Sequence, residues 1–312
     1  MLGTLLFPLL LAATDCPSVQ WNVQQDVTTT DWVQHIQAID WNQDGTPDIT
    51  GVVGQGADTT LMWWRGLGDG TFGAPAAIMK DASLWGFAVA DFNGDGREDF
   101  LIGSETQYIP GNATGRGKAV HIPALVGLDP SAMHAGNFDG DPAIELVVSS
   151  VNASAIVLLD NTAGNLTELT RIPVDSWPIG IRSADFDGDG RFDLAVAMQQ
   201  AHAVDVYFKN ANGVYAAPVS LPTGAETREL LSGDVDGDGR PDLVATALND
   251  GTVHIFRANA NRTFATSTLT NDRPGESTTN SALALADISG DGKLDLIAGS
   301  HSGWTTTWTG TG

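Results

Sequence analysis

Cysteine is almost missing. Cys16 is the only one in 312 residues, so no disulfide can form within the chain, and stability must come from an apolar core or from bound metal. Basic residues are scarce as well, 15 Lys and Arg against 38 Asp and Glu, which gives a formal net charge of -23. That deficit excludes nucleic acid and an anionic membrane surface as expected partners, because phosphate binding needs a surplus of positive side chains. No stretch offers the roughly 20 apolar residues that a spanning helix takes. Helical periodicity is absent throughout, which turns attention to strands.

What is present begins with "MLGTLLFPLLLAATDC". The apolar run Leu2 to Leu11 is too short for a span, and Ala12, Ala13 and Thr14 suit a cleavage site, so residues 1–14 read as an export signal. Residues 15–312 are then a secreted or cell-surface domain. Lipoprotein anchoring at Cys16 is a minor alternative, against which Asp15 stands where that signal needs a small residue.

One acidic motif recurs six times: "DWNQDGTPDI" at Asp40, "DFNGDGREDF" at Asp91, "NFDGDPAIEL" at Asn137, "DFDGDGRFDL" at Asp185, "DVDGDGRPDL" at Asp234 and "DISGDGKLDL" at Asp287. Successive starts differ by 51, 46, 48, 49 and 53 residues. Such a period marks an array of supersecondary units rather than separate domains. Apolar runs such as "GFAVAD" and "LALAD" enter the loops, and "DFLIG", "ELVVSS", "DLAVAM", "DLVATA" and "DLIAG" leave them. A third run follows in most units ("TLMWWRG", "SAIVLLD", "AVDVYFKN", "TVHIFRA"), then a Gly/Asn turn and a fourth strand.

Four antiparallel strands per unit, repeated radially, predict an all-β fold, a β-propeller, which protects its sheet edges by closing the ring. Trp21, Phe72, Leu166 and Tyr215 each stand 19 residues before a loop start and are expected to open fourth strands. The segment "VQWNVQQDVTTT" therefore supplies a fourth strand without the three before it, and the C-terminal "GWTTTWTGTG" supplies a third and stops. The last blade is expected to be closed by the N-terminal strand. Residues 15–312 make close to six units, which favours six four-stranded blades over seven.

Each loop places oxygen side chains at positions 1, 3, 5 and 9, and Gly at position 6 in five of the six. Hard cations such as Ca²⁺ take six to eight oxygens, and the glycine permits the sharp turn that gathers them. An EF-hand would need Glu at position 12, where Gly51, Ile102, Val148, Val196, Ala245 and Ala298 stand instead. Apolar residues at positions 2 and 10 fit a loop joining two buried strands, so the metal would clamp a hairpin, with the position 7 carbonyl as a further ligand.

These loops and the "GxGxF"-like turns resemble FG-GAP/VCBS repeats, found in integrin alpha-subunit propellers and many bacterial secreted proteins. The resemblance covers nearly the whole domain and implies up to six structural Ca²⁺ ions. Carried residue by residue, it assigns Asp40, Asn42, Asp44 and Asp48 to loop one, and Asp91, Asn93, Asp95 and Asp99 to loop two. Loop three has Asn137, Asp139, Asp141 and Glu145, with Pro142 where Gly is expected. Loop four has Asp185, Asp187, Asp189 and Asp193, and loop five has Asp234, Asp236, Asp238 and Asp242. Loop six has Asp287, Ser289, Asp291 and Asp295. Six divalent ions would cancel about half of the net charge.

Motifs for catalysis are weak. "GDGTFG" at Gly68 sits in a strand-to-strand turn rather than before a helix, "GNATGRGKA" has Ala119 where a phosphate loop needs Ser or Thr, and "GSHSG" has His at the nucleophile position. No Cys/His cluster has zinc spacing. Propeller ligands are expected on the face opposite the acidic loops, where Trp32, Trp85, Trp177, His202, Arg228, His301 and Trp304 fall. The expected function is a calcium-binding adhesion or interaction module for a protein or carbohydrate ligand, monomeric, with no catalytic residues assigned. The alternative is an extracytoplasmic polysaccharide lyase or hydrolase on the same scaffold.

Overall fold

The computed structural model describes residues 4–5, 27–28, 33–46, 48–55, 58–68, 71–81, 87–103, 106–111, 117–138, 141–162, 164–247, 252–270, 280–286, 292–300 and 305–308. Among them there is no α-helix, and one 3₁₀ turn occupies Pro123–Leu125. A short pair joins β1 (Thr4–Leu5) to β2 (Val27–Thr28). The remaining strands form sheets in strict chain order, each strand beside the one before it.

The chain divides into two compact units, Met1–Val126 with Thr162–Asn165, and Gly127–Asn161 with Leu166–Gly312. In the first, β3 (Val33–Ile39), β4 (Asp48–Gln55), β5 (Asp58–Trp64) and β6 (Ala76–Asp81) make one four-stranded sheet. β7 (Phe87–Ala90), β8 (Asp99–Ile102), β9 (Gln107–Ile109) and β10 (Val120–His121) make the next. Trp41, Val52, Leu61, Ile78, Phe100, Ile102 and Ile109 form the core of this unit.

In the second unit the third sheet is β11 (Ala132–Gly136), β12 (Glu145–Ser150), β13 (Ala155–Thr162) and β14 (Asn165–Pro173). The fourth is β15 (Pro178–Ala184), β16 (Asp193–Met198), β17 (Ala203–Tyr207) and β18 (Val219–Pro222). The fifth is β19 (Thr227–Gly233), β20 (Asp242–Ala247), β21 (Thr252–Asn259) and β22 (Thr263–Thr270). The sixth has three strands among the described residues, β23 (Asn280–Ala286), β24 (Asp295–Ser300) and β25 (Thr305–Trp308). Within this unit each sheet's first strand lies against the first strand of the next, in the order β11, β15, β19, β23.

Stacking of this kind covers both faces of a sheet, and the second strands show it. All six residues of β16 are buried. Leu194, Val196 and Met198 point into a core with Phe138, Val147 and Ile156 of the third repeat, whereas Ala195 and Ala197 face Leu230, Leu243 and Phe256 of the fifth. Side chains alternate along a strand, so one apolar run feeds two cores, and small residues on one face make room for large ones opposite.

The expected strand order is realised in five four-stranded sheets, with two strand starts shifted. Phe72 and Tyr215 form only isolated bridges, to Gly66 and Lys209, and the strands they were expected to open begin at Ala76 and Val219. Pro75 and Pro218 stand between. Proline has no N–H to give to the ladder, so pairing resumes only after it. Of the segment expected to close the last blade, Val27–Thr28 is described and pairs with β1; Trp21 lies outside the described residues.

Candidate metal loops and the opposite end

Each acidic loop joins the first strand of a sheet to its second, and two anchors recur among the described residues. The first is the apolar residue at position 2: Trp41 and Phe186 are fully buried, and Phe92 and Phe138 nearly so. The second is the acid at position 9, which begins the second strand and is fully buried as Asp48, Asp99, Asp193, Asp242 and Asp295. Asp193 Oδ2 accepts the Phe186 N–H at 3.1 Å, and its Oδ1 accepts the Lys209 N–H at 2.8 Å. Asp242 repeats this with Val235 at 2.9 Å and Ala258 at 2.8 Å, and Asp99 with Phe92 at 3.0 Å and Gly111 at 2.9 Å. Asp48 accepts from Gly66, and Glu145 from Phe138. In loops two, four and five one carboxylate thus ties position 2 of its loop to the end of the third strand.

The other acids shape the turn. Both oxygens of Asp185 accept backbone N–H groups, from Asp189 and Gly190, and Asp234 binds Asp238 and Gly239 in the same way. Gly190 and Gly239 have φ of +85° and +87°, a left-handed conformation that glycine adopts without strain and that folds the chain back over the position 1 carboxylate. Asp40 and Asp91 make equivalent bonds in loops one and two. Loop three departs, as its Asn137 donates its amide to the Asp141 carbonyl.

Loops four and five draw three carboxylates together. Oxygens of Asp185, Asp187 and Asp193 lie within 4.8 Å of one another, as do those of Asp234, Asp236 and Asp242. Asp189 and Asp238, at position 5, instead pair with Arg191 and Arg240. Burial raises Asp193 to about 7, with repulsion from Asp187 and Asp189 adding to it, and burial raises Asp99 to about 6. Asp242 is raised too, first by burial. A buried carboxylate beside other carboxylates is poorly solvated in its ionised form, so added positive charge would favour that form. An oxygen-only donor set in that condition fits a hard divalent cation, held by positions 1, 3 and 9, whose charge would neutralise the cluster. Asp139, Asp287, Ser289 and Asp291 lie outside the described residues.

At the other end of the same strands, Trp177 precedes β15 and is 48% exposed. The Trp177 carbonyl accepts the Gln199 N–H at 2.9 Å, and the Gln199 amide reaches Glu226 at 3.3 Å. His202 closes the β16–β17 turn in a left-handed conformation, φ +54°, and its carbonyl accepts the Thr223 N–H. Arg228 is exposed and falls within a register shift of β19 between Thr227 and Leu230. Such a bulge re-aims side chains. Trp177, His202 and Arg228 therefore share the end away from the acidic loops. Trp32, Trp85, His301 and Trp304 lie outside the described residues. Gln199 and Glu226 were missed in the sequence, because nothing local links either to Trp177.

An FG-GAP-like repeat model matches residues 40–102, 137–196, 185–245 and 234–298, most of the chain. The chain belongs to the FG-GAP-like repeat family. Each match begins at position 1 of one acidic loop and ends at position 12 of another, so all six loops of this FG-GAP repeat protein fall inside matches. No curated protein sequence matches it. Among solved structures, an Agrocybe aegerita lectin described for specific recognition of non-reducing terminal N-acetylglucosamine is 20% identical, with a TM-score of 0.60 over 86% of this chain and 75% of that one. BBS1N, solved in complex with ARL6DN, is 13% identical, with a TM-score of 0.59 over 84% and 74%. A functionally unknown protein from Desulfotomaculum acetoxidans is 12% identical, with a TM-score of 0.56 over 91% and 87%. At these identities the likeness concerns fold alone, and the fold is of the β-propeller type.

Proposed function

We propose that this FG-GAP repeat protein is an exported, calcium-stabilised propeller of six blades that binds a glycan or protein ligand through the end that carries Trp177. The observation that carries the reading is the division of labour along β15 and β16: carboxylates gather at one end, and the exposed Trp177 stands at the other, the end that also holds Gln199, Glu226 and Arg228. An indole face stacks on the apolar face of a sugar ring or fills a pocket in a partner protein, and the flanking amide and charges supply directional bonds. The named neighbours add support, since one recognises a terminal sugar and another was solved with a protein partner. No helix among the described residues is long and apolar enough to cross a membrane. A glycan array probed with and without calcium tests the reading. Binding that vanishes in Trp177→Ala, with the fold retained, supports it, and Trp177-independent binding sinks the assignment of that end.

A second reading, an enzyme acting on polysaccharide, draws on the first strands of the second unit. β11, β15 and β19 carry His134, Arg182 and Glu229, near enough for Arg182 to perturb His134 and for Glu229 to perturb Arg182. Release of reducing ends from an acidic polysaccharide, lost in His134→Gln, would favour it.

A further inference from the structure

The turn between β21 and β22 reads Asn259-Ala260-Asn261-Arg262-Thr263, and its counterpart between β17 and β18 reads Asn210-Ala211-Asn212-Gly213-Val214. In both turns the fourth residue donates its N–H to the first and adopts positive φ, +81° at Gly213 and +63° at Arg262. Glycine takes that conformation freely, whereas a side chain such as that of arginine is strained in it. The arginine is therefore explained by what it touches. Its Nε donates to Asp187 Oδ2 at 2.6 Å, its Nη2 to Asp189 Oδ2 at 3.3 Å and its Nη1 to Asn210 Oδ1 at 3.2 Å. The guanidinium also lies 5.1 Å from the Phe208 ring centroid.

Asp187 belongs to the loop-four carboxylate cluster, and its side chain is only 4% exposed. The fifth repeat thus places a fixed positive charge on the cation donors of the fourth. Among the described residues loop five has no contact so close: Arg257 Nε lies 4.0 Å from Asp236 and turns its Nη1 to Ser267. We propose that Arg262 is a tethered competitor for the cation at loop four, standing in as counter-charge when metal is scarce and lowering the affinity of that loop relative to loop five. This rests on the calcium reading above. A cation entering loop four must share Asp187 with Arg262 or displace it, so its binding is coupled to the contact between the fourth and fifth sheets.

The test is calorimetric titration of the full chain with Ca²⁺, comparing wild type with Arg262→Gln and with Arg262→Gly, which installs the residue found at 213 and relieves the backbone. Asp187→Asn identifies the loop-four heat by its loss. The expected result is about tenfold tighter binding at loop four in both Arg262 variants, the magnitude of one hydrogen bond to a charged group. Thermal melts give a second signature: Arg262→Gln lowers Tm in chelator and leaves it unchanged in saturating Ca²⁺. Unchanged loop-four affinity, or an equal loss of Tm in both conditions, overturns competition and leaves calcium binding intact. Absence of calcium heat from wild type and variants alike overturns both readings.

Discussion

The carboxylate of Asp193 accepts the backbone N–H of Lys209, 16 residues downstream, at 2.8 Å, while its other oxygen holds Phe186. An acid that the sequence assigns to the metal set is also a backbone clip. A second lone pair on each oxygen leaves it able to serve a cation as well.

Asp193→Ala should cost about 3 kcal/mol even in chelator, since it strands two backbone donors that the fold has shielded from water. Asp189→Ala, whose carboxylate pairs with partly exposed arginines, should cost less than about 1 kcal/mol under the same conditions. Urea denaturation compares the two, and equal losses would remove the distinction between clip and turn acid.

Gly111 donates the matching N–H to Asp99, and a β-carbon there would lie 2.2 Å from the Glu98 carbonyl oxygen. Gly111→Ala must push the strand end off its clip and should destabilise by about 2 kcal/mol. At Gly73 the nearest atom to such a carbon is 3.7 Å away, and Gly73→Ala should stay within about 0.5 kcal/mol. Melting curves of the pair decide it.

Calcium at a hundredfold excess over its dissociation constant should add about 2.7 kcal/mol for each filled loop. The Asp185→Asn/Asp187→Asn and Asp234→Asn/Asp236→Asn variants should each forfeit one such share. A Tm indifferent to chelator would end the structural role for calcium.

His134 is held down to about 4 by burial, with the Arg182 charge adding to it. An unfolded imidazole titrates near 6.5, so between about 6.5 and 4 the unfolded chain takes up a proton that the folded chain refuses. The stability tied to neutral His134 is complete above about 6.5 and fades as pH falls toward 4, by about 2 kcal/mol given the ring's partial contact with solvent. In His134→Gln the pH profile of urea stability should be flatter over this window; superimposable profiles would refute the assignment.

The array was legible because its signals are local. Alternation along a strand and a turn glycine act on neighbours in sequence, so the loop at Asp185 and the runs around it predicted their own hairpin. Position 9 was legible as an acid but not as a clip, because the partners Phe186 and Lys209 are backbone groups that any sequence supplies. Burial was the available hint, since Asp193 sits against Leu194 at the head of an apolar run. Arg262 was out of reach for another reason. Its contact with Asp187 spans 75 residues and depends on how one sheet stacks on the next, although its place in a turn that elsewhere holds glycine was visible in the repeat alignment. The fourth strands slipped where Pro75 and Pro218 interrupt them, a signal that was present and underweighted.

The strict order of strands has a kinetic side. Among the described residues, pairing within each sheet joins only consecutive strands, and the bond from Asp193 to Lys209 closes a ring of modest length, so little chain entropy is lost before contacts form. All-β folds are slow when distant segments must meet first. In the second unit each repeat can zip up as it leaves the ribosome and present a finished apolar face to its successor, so assembly there becomes a series of short searches.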